Sequence, residues 1–135
     1  MVKMNVTYTG DLHCDLTHEP SGSKIETDAP KDNLGRGASF SPTDLVGAAL
    51  ASCILTTMAI LAKRDGVPFE GASASVEKEM VTQPTRRIGT LAVAVTMPKS
   101  IAEDYRVKLE RAAHACPVHH SLHPDVKLPI SFKYE

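Results

Sequence analysis

From Leu45 to Ala62 the chain runs for 18 residues without a charged side chain. A segment of that length and polarity is either a membrane span at the lower limit of length or a helix inside a protein core. Gly47, Ser52, Thr56 and Thr57 dilute its apolar character, and the sequence on both sides alternates as sheet does, so the segment reads as a buried central helix and no membrane contact is expected. Its start is marked by Ser41-Pro42-Thr43-Asp44, which supplies an N-cap hydroxyl, a proline at the first helical position and an acid at the third. Gly66 and Pro68 end it after Lys63 or Arg64. The small residues Gly47, Ala48, Ala49, Ala51 and Ser52 let another backbone come close, from within the fold or from a second subunit.

At 135 residues the chain is long enough to bury a core without staples and too short for two ordinary domains, so residues 1–135 are expected to form one domain. Lys and Arg total 15 against 16 Asp and Glu, a net charge of −1, and the isoelectric point is about 6.6. That balance argues against nucleic acid and anionic membrane as partners. With no Trp, 3 Phe and 3 Tyr, the core must be built of aliphatic residues and alanine. The first residues alternate polar and apolar and lack the unbroken apolar run of a secretory signal, which predicts a cytoplasmic protein. Cys14, Cys53 and Cys116, odd in number and far apart, suit a reducing compartment rather than a disulfide framework.

Residues 2–9 and 12–18 alternate around Thr9-Gly10-Asp11 and predict a hairpin, with Ser23 to Asp28 as a third strand. Residues 29–40 are rich in Gly, Pro, Asp and Asn and predict a long loop. Residues 71–82 and 87–97 alternate on either side of Gln83-Pro84-Thr85 and predict a second hairpin. Ser100 to Ala115 is amphipathic, with Ile101, Tyr105, Leu109, Ala112 and Ala113 on one face and a capping box from Ser100 to Glu103. Pro117 can open a short further helix with Cys116 as its N-cap, and Val126 to Tyr134 reads as a closing strand broken by Pro129. The order predicts an α+β fold of antiparallel hairpins around a buried helix.

Two cysteines carry the candidate chemistry. Cys53 lies mid-helix among Ala51, Ser52 and Ile54, where a free cysteine serves as a packing residue unless a cation lowers its pKa. Cys116, at a helix N-terminus, would face free backbone N–H groups that favour the thiolate, so local physics makes it the better nucleophile. His114, Cys116, His119, His120 and His123 form a dense cluster, the last four spaced as one helix face. Zinc accepts such ligands, though structural zinc sites join two separated pairs, and a set of histidines tuning the thiol is the other reading. Cys14 reads as structural. No glycine-rich phosphate loop and no nucleophile elbow is present.

The segment Ser41-Pro42-Thr43-Asp44-Leu45-Val46-Gly47-Ala48-Ala49-Leu50-Ala51-Ser52-Cys53 resembles the central helix of the OsmC/Ohr family, and Cys116-Pro117-Val118 resembles that family's Cys-Pro motif. The order of the two motifs and of the predicted elements fits over nearly the whole chain. The resemblance implies an α+β OsmC-like fold in which antiparallel hairpins surround long buried central helices of an intertwined homodimer. It implies a thiol-dependent peroxidase that reduces organic hydroperoxides to alcohols without metal, flavin or haem. Cys53 would attack the peroxide, Cys116 would resolve the sulfenic acid to a disulfide, and a dithiol such as dihydrolipoamide would reduce it. Arg36, in the loop before the helix, would be the activating cation, oriented by Asp44, unless Arg36 is a solvated loop residue and Asp44 only a helix cap. A stress or binding protein with redox-sensitive cysteines, and a metal-binding module using Cys116 and the histidines, are the other functions open to this sequence.

Overall fold

The computed structural model describes residues 1–135 and divides into two compact units, Met1–Val46 and Gly47–Glu135, with one helix, α1 (Pro42–Arg64), running through the division. The helix begins where the sequence predicts. The Asp44 backbone N–H donates to Ser41 Oγ (3.1 Å), and the Ser41 N–H donates to Asp44 Oδ2 (2.9 Å), a reciprocal cap that satisfies two otherwise orphaned donors.

The first unit is a three-stranded antiparallel sheet, β1 (Met4–Gly10), β2 (His13–His18) and β3 (Lys24–Asp28), in that spatial order. The β1–β2 turn sits on Asp11 and Leu12, both at positive φ (52° and 60°), one residue later than the Gly10-centred turn expected. Gly10 itself takes φ 100° where the register slips between Tyr8 and Gly10, so the glycine serves the bulge and not the turn. Leu12 is held in this unfavoured region by its N–H donating to Tyr8 Oη (3.3 Å) and its carbonyl accepting from Ala29 (3.0 Å). After β3 the loop closes on itself through a 3-10 turn at Lys31–Asn33.

The second unit holds a sheet of β4 (Ser73–Val81), β5 (Arg87–Met97) and β6 (Ile130–Tyr134) in that order, with helices α2 (Glu103–Ala113) and α3 (Pro117–Ser121) between β5 and β6. One row of α1, Leu50, Ile54, Met58 and Ala62, spaced four apart, is fully buried, as are Leu91, Val93, Val95 and Met97, alternate residues of β5. Leu109, Ala113 and Ile101 complete this aliphatic core, in which no aromatic larger than Phe69 takes part.

Three expectations are corrected here. β6 runs parallel to β5, so the sheet is mixed and not built of hairpins alone; α2 and α3 form the crossover that a parallel pair requires. It also starts at Ile130, since before Pro129 only Lys127 makes a bridge, to Thr90. Helix α2 starts at Glu103 with Ala102 as its N-cap and no side-chain cap, because Ser100 lies in a turn closed by the Ile101 N–H on the Pro98 carbonyl (3.2 Å). The third correction concerns α1, which is not buried all round: Ala49, Ser52, Thr56 and Ile60 form an exposed stripe. Its length and hydropathy of 2.2 are sufficient for a membrane span, but a core helix passes the same test.

Candidate active site

Helix α1 carries Cys53 at a half-buried position, flanked in the helix by buried Ala51 and Ile54. Cys116 ends the α2–α3 connection as N-cap of α3, where extended backbone (φ −68°, ψ 138°) and Pro117 at the first helical position open the helix as expected. Its Sγ accepts the His119 backbone N–H (3.2 Å), and the side chain is fully buried. The two thiols, 63 residues apart in sequence, are neighbours, near enough for Cys53 to act on the Cys116 thiol, and both are free.

The helix terminus at Cys116 does not bring its thiol below the ordinary range. The His119 and Val118 N–H groups do favour the thiolate, but burial opposes it more strongly and the adjacent Cys53 adds to the effect, so the Cys116 pKa is raised above its ordinary 9.0. A five-residue helix in a dry site offers too little charge to offset desolvation.

The histidines are split. His114 packs edge-on to His119 and to Phe132, with ring centroids 5.9 and 6.4 Å apart, and His119 lies edge-on to His120 at 5.9 Å. His123 lies beyond the end of α3 at Ser121, so the expected four-residue face does not form. Burial, with the nearby His114 and His120, lowers the pKa of His119 and favours its neutral form beside the thiol.

Arg36 and Asp44 belong to the first unit. Arg36 is 57% exposed at its side chain and its Nη2 reaches Asp28 Oδ1 at 3.5 Å. Asp28 is 2% exposed and also meets His13 Nδ1 at 2.6 Å; that hydrogen bond, with Arg36 behind it, holds its carboxyl below the usual range. Asp44 accepts the Ser41 N–H as a helix cap. His13 and Asp28 were not singled out by sequence. The signal was present in the β2–β3 alternation, but recognising it requires the strand register, which pairs His13 with Asp28. Cys14 sits on the opposite face of β2 from His13.

A family model for OsmC-like protein matches residues 35–131, the span that holds Arg36, Asp44 and both thiols. The chain belongs to the OsmC-like protein family. Among solved structures, this OsmC-like chain is similar to a Psychrobacter arcticus protein named for an osmotic stress induced and detoxification response, with 38% identity, 98% of this chain and 96% of that one covered, and a TM-score of 0.92. The organic hydroperoxide resistance protein OsmC of Legionella pneumophila shares the fold at 17% identity, covering 98% of this chain and 96% of that one with a TM-score of 0.79. So does the organic hydroperoxide resistance protein OhrB of Bacillus subtilis, at 17% identity, 98% of each chain and a TM-score of 0.71. No curated protein sequence matches this chain.

Proposed function

We propose that this OsmC-like protein serves oxidative stress defence as a thiol peroxidase that reduces organic hydroperoxides to alcohols. The observation that carries the proposal is the meeting of Cys53 and Cys116, the first half-buried and the second fully buried with its pKa raised. The names of the Legionella and Bacillus structures point to the same substrate class. The Cys53 thiolate attacks the outer oxygen of the hydroperoxide; the O–O bond breaks, the alkoxide leaves and takes a proton as alcohol, and Cys53 becomes a sulfenic acid. Cys116 then gives up its proton and attacks the Cys53 sulfur, displacing hydroxide as water and forming the disulfide. An external dithiol such as dihydrolipoamide returns both thiols by exchange, and no metal, flavin or haem takes part.

The role division follows burial. The attacking thiol must be met by substrate, which suits half-exposed Cys53, while the resolving thiol needs only to reach its neighbour. Arg36 keeps the role of activating cation that the family resemblance implies, and Asp44 holds the start of the helix that carries the thiol. The active form is a cytoplasmic homodimer whose interface covers the exposed stripe of α1. Turnover of cumene hydroperoxide with dihydrolipoamide by the purified protein tests the activity. Sustained alcohol production is expected, and protein that fails to consume peroxide beyond the uncatalysed rate would refute it.

One observation favours a second reading. Arg36 is largely solvated and engaged with Asp28, an arrangement that suits a stress or binding protein with redox-sensitive cysteines and slow turnover. Failure of the assay together with reversible oxidation of Cys53 would select that reading.

A further inference from the structure

The polar face of the first sheet brings together a His and two carboxylates that the peroxidase chemistry does not use. The β2–β3 register sets Asp15 directly opposite Glu26 and His13 directly opposite Asp28, so all four side chains leave the same face of the sheet. Two carboxylates facing one another across strands repel unless a cation lies between them. His13 Nε2 is 3.3 Å from Asp15 Oδ1 and 3.3 Å from Glu26 Oε1, and the three ligand atoms all lie within 4.8 Å of one another. Three ligands held about 2.1 Å from one tetrahedral ion stand roughly 3.4 Å apart, so two of the three separations already match.

The imidazole is also set up from behind. Asp28, buried and ionised, accepts the Nδ1–H at 2.6 Å and is itself met by Arg36, which fixes the tautomer that leaves the Nε2 lone pair aimed at the two carboxylates. A carboxylate orienting the far nitrogen is the usual support for a metal-bound histidine. Asp15 and Glu26 are more than half exposed, so water can fill a remaining position and the carboxylates have room to close on an ion. A shallow pocket of about 380 Å³, lined by Asp15, Thr17, Lys24, Ile25 and Glu26, opens on this side.

The geometry points to a divalent metal site on this face, ligated by His13 Nε2, Asp15 and Glu26, with Asp28 as the orienting carboxylate and Zn²⁺ as the ion that one imidazole and two carboxylates suit. Without the ion, a proton on Nε2 occupies the space between the carboxylates; binding releases that proton to solvent. The site lies in the first unit, apart from the Cys53–Cys116 pair in sequence and chemistry, and does not depend on the proposed peroxidase activity.

Imidazole ¹⁵N resonances of the full-length reduced chain, followed during a Zn²⁺ titration, read each histidine separately. His13 Nε2 is expected to move to its metal-bound position with one equivalent of zinc, while Nδ1 keeps its proton to Asp28. Asp15→Asn and Glu26→Gln, both at exposed positions that leave the fold intact, should each raise the zinc concentration at half-saturation by about tenfold or more. A smaller change in either variant overturns the assignment, as does zinc that shifts only the histidines between His114 and His123.

Discussion

Replacing Gly35 by alanine tests how the loop that carries Arg36 is held. The backbone at Gly35 is not in the left-handed region, so the obstacle is purely one of space: an added Cβ would lie 1.7 Å from the Ala29 carbonyl oxygen and 2.1 Å from its carbon. Ordinary contact starts near 3.4 Å, and a neighbouring backbone cannot swing aside as a flexible side chain does. The loop must therefore open by roughly 1.5 Å, a displacement that forfeits close packing. It would break the Gly35 N–H to Pro30 bond (2.9 Å) and the Gly37 N–H to Ala29 bond (3.3 Å) that close the loop. At about 0.5–1.5 kcal/mol for each bond, the loss is about 1–3 kcal/mol. For a chain of this size that lowers the melting temperature by about 4–12 °C, measured by far-ultraviolet circular dichroism. The displaced loop would carry Arg36 with it, so peroxide turnover in Gly35→Ala should fall to the level of Arg36→Ala. A melting temperature within about 1 °C of the parent would refute the loop-closure reasoning.

The His13–Asp28 pair gives a pH signature. The Asp28 hydrogen bond raises the His13 pKa above 6.5, a contribution fully present below that value and lost as pH rises through the raised one; that of Asp28, lowered from 3.8 by His13, is present above 3.8 and lost as pH falls through the lowered one. Urea midpoints of the parent and His13→Asn should therefore differ most between about pH 4 and 6.5 and converge at alkaline pH; a constant difference would contradict the pairing. Met58→Ala, at a fully buried position on α1, should cost about 2–5 kcal/mol by chemical denaturation. Ile60→Gln, on the exposed stripe, should change the stability of an isolated chain by no more than about 0.5 kcal/mol. Light scattering at micromolar concentration should show a dimer for the parent and a shift toward monomer for Ile60→Gln; a monomeric parent would refute the homodimer.

What could be read from sequence divides along the range of the forces involved. The start of α1 was legible because Ser41, Pro42 and Asp44 act on one another within four residues, and Cys116 capping α3 was legible for the same reason. Ser100 misled because its placement depends on a turn that buries Ile101 in the core. The parallel pairing of β6 was illegible because the alternation of a strand says which face is buried and not which way its neighbour runs. For the thiols, the helix terminus at Cys116 was visible and the desolvation that overrides it was not, since burial is made by residues distant in sequence. The meeting of Cys53 with Cys116 came from the family resemblance alone, since the two residues lie 63 apart in sequence. His13 and Asp28 show the converse: ordinary strand residues in sequence, they acquire a shared role only when the register sets them opposite one another.

The most direct measurement is the fate of each thiol after peroxide, read by mass spectrometry alongside turnover for Cys53→Ser and Cys116→Ser. With Cys53 attacking and Cys116 resolving, Cys53→Ser should abolish turnover, and Cys116→Ser should reduce one peroxide per chain and accumulate sulfenic acid on Cys53. The parent, treated with peroxide without reductant, should carry a Cys53–Cys116 disulfide. Undiminished turnover by Cys53→Ser, or first oxidation at Cys116, would contradict the assignment.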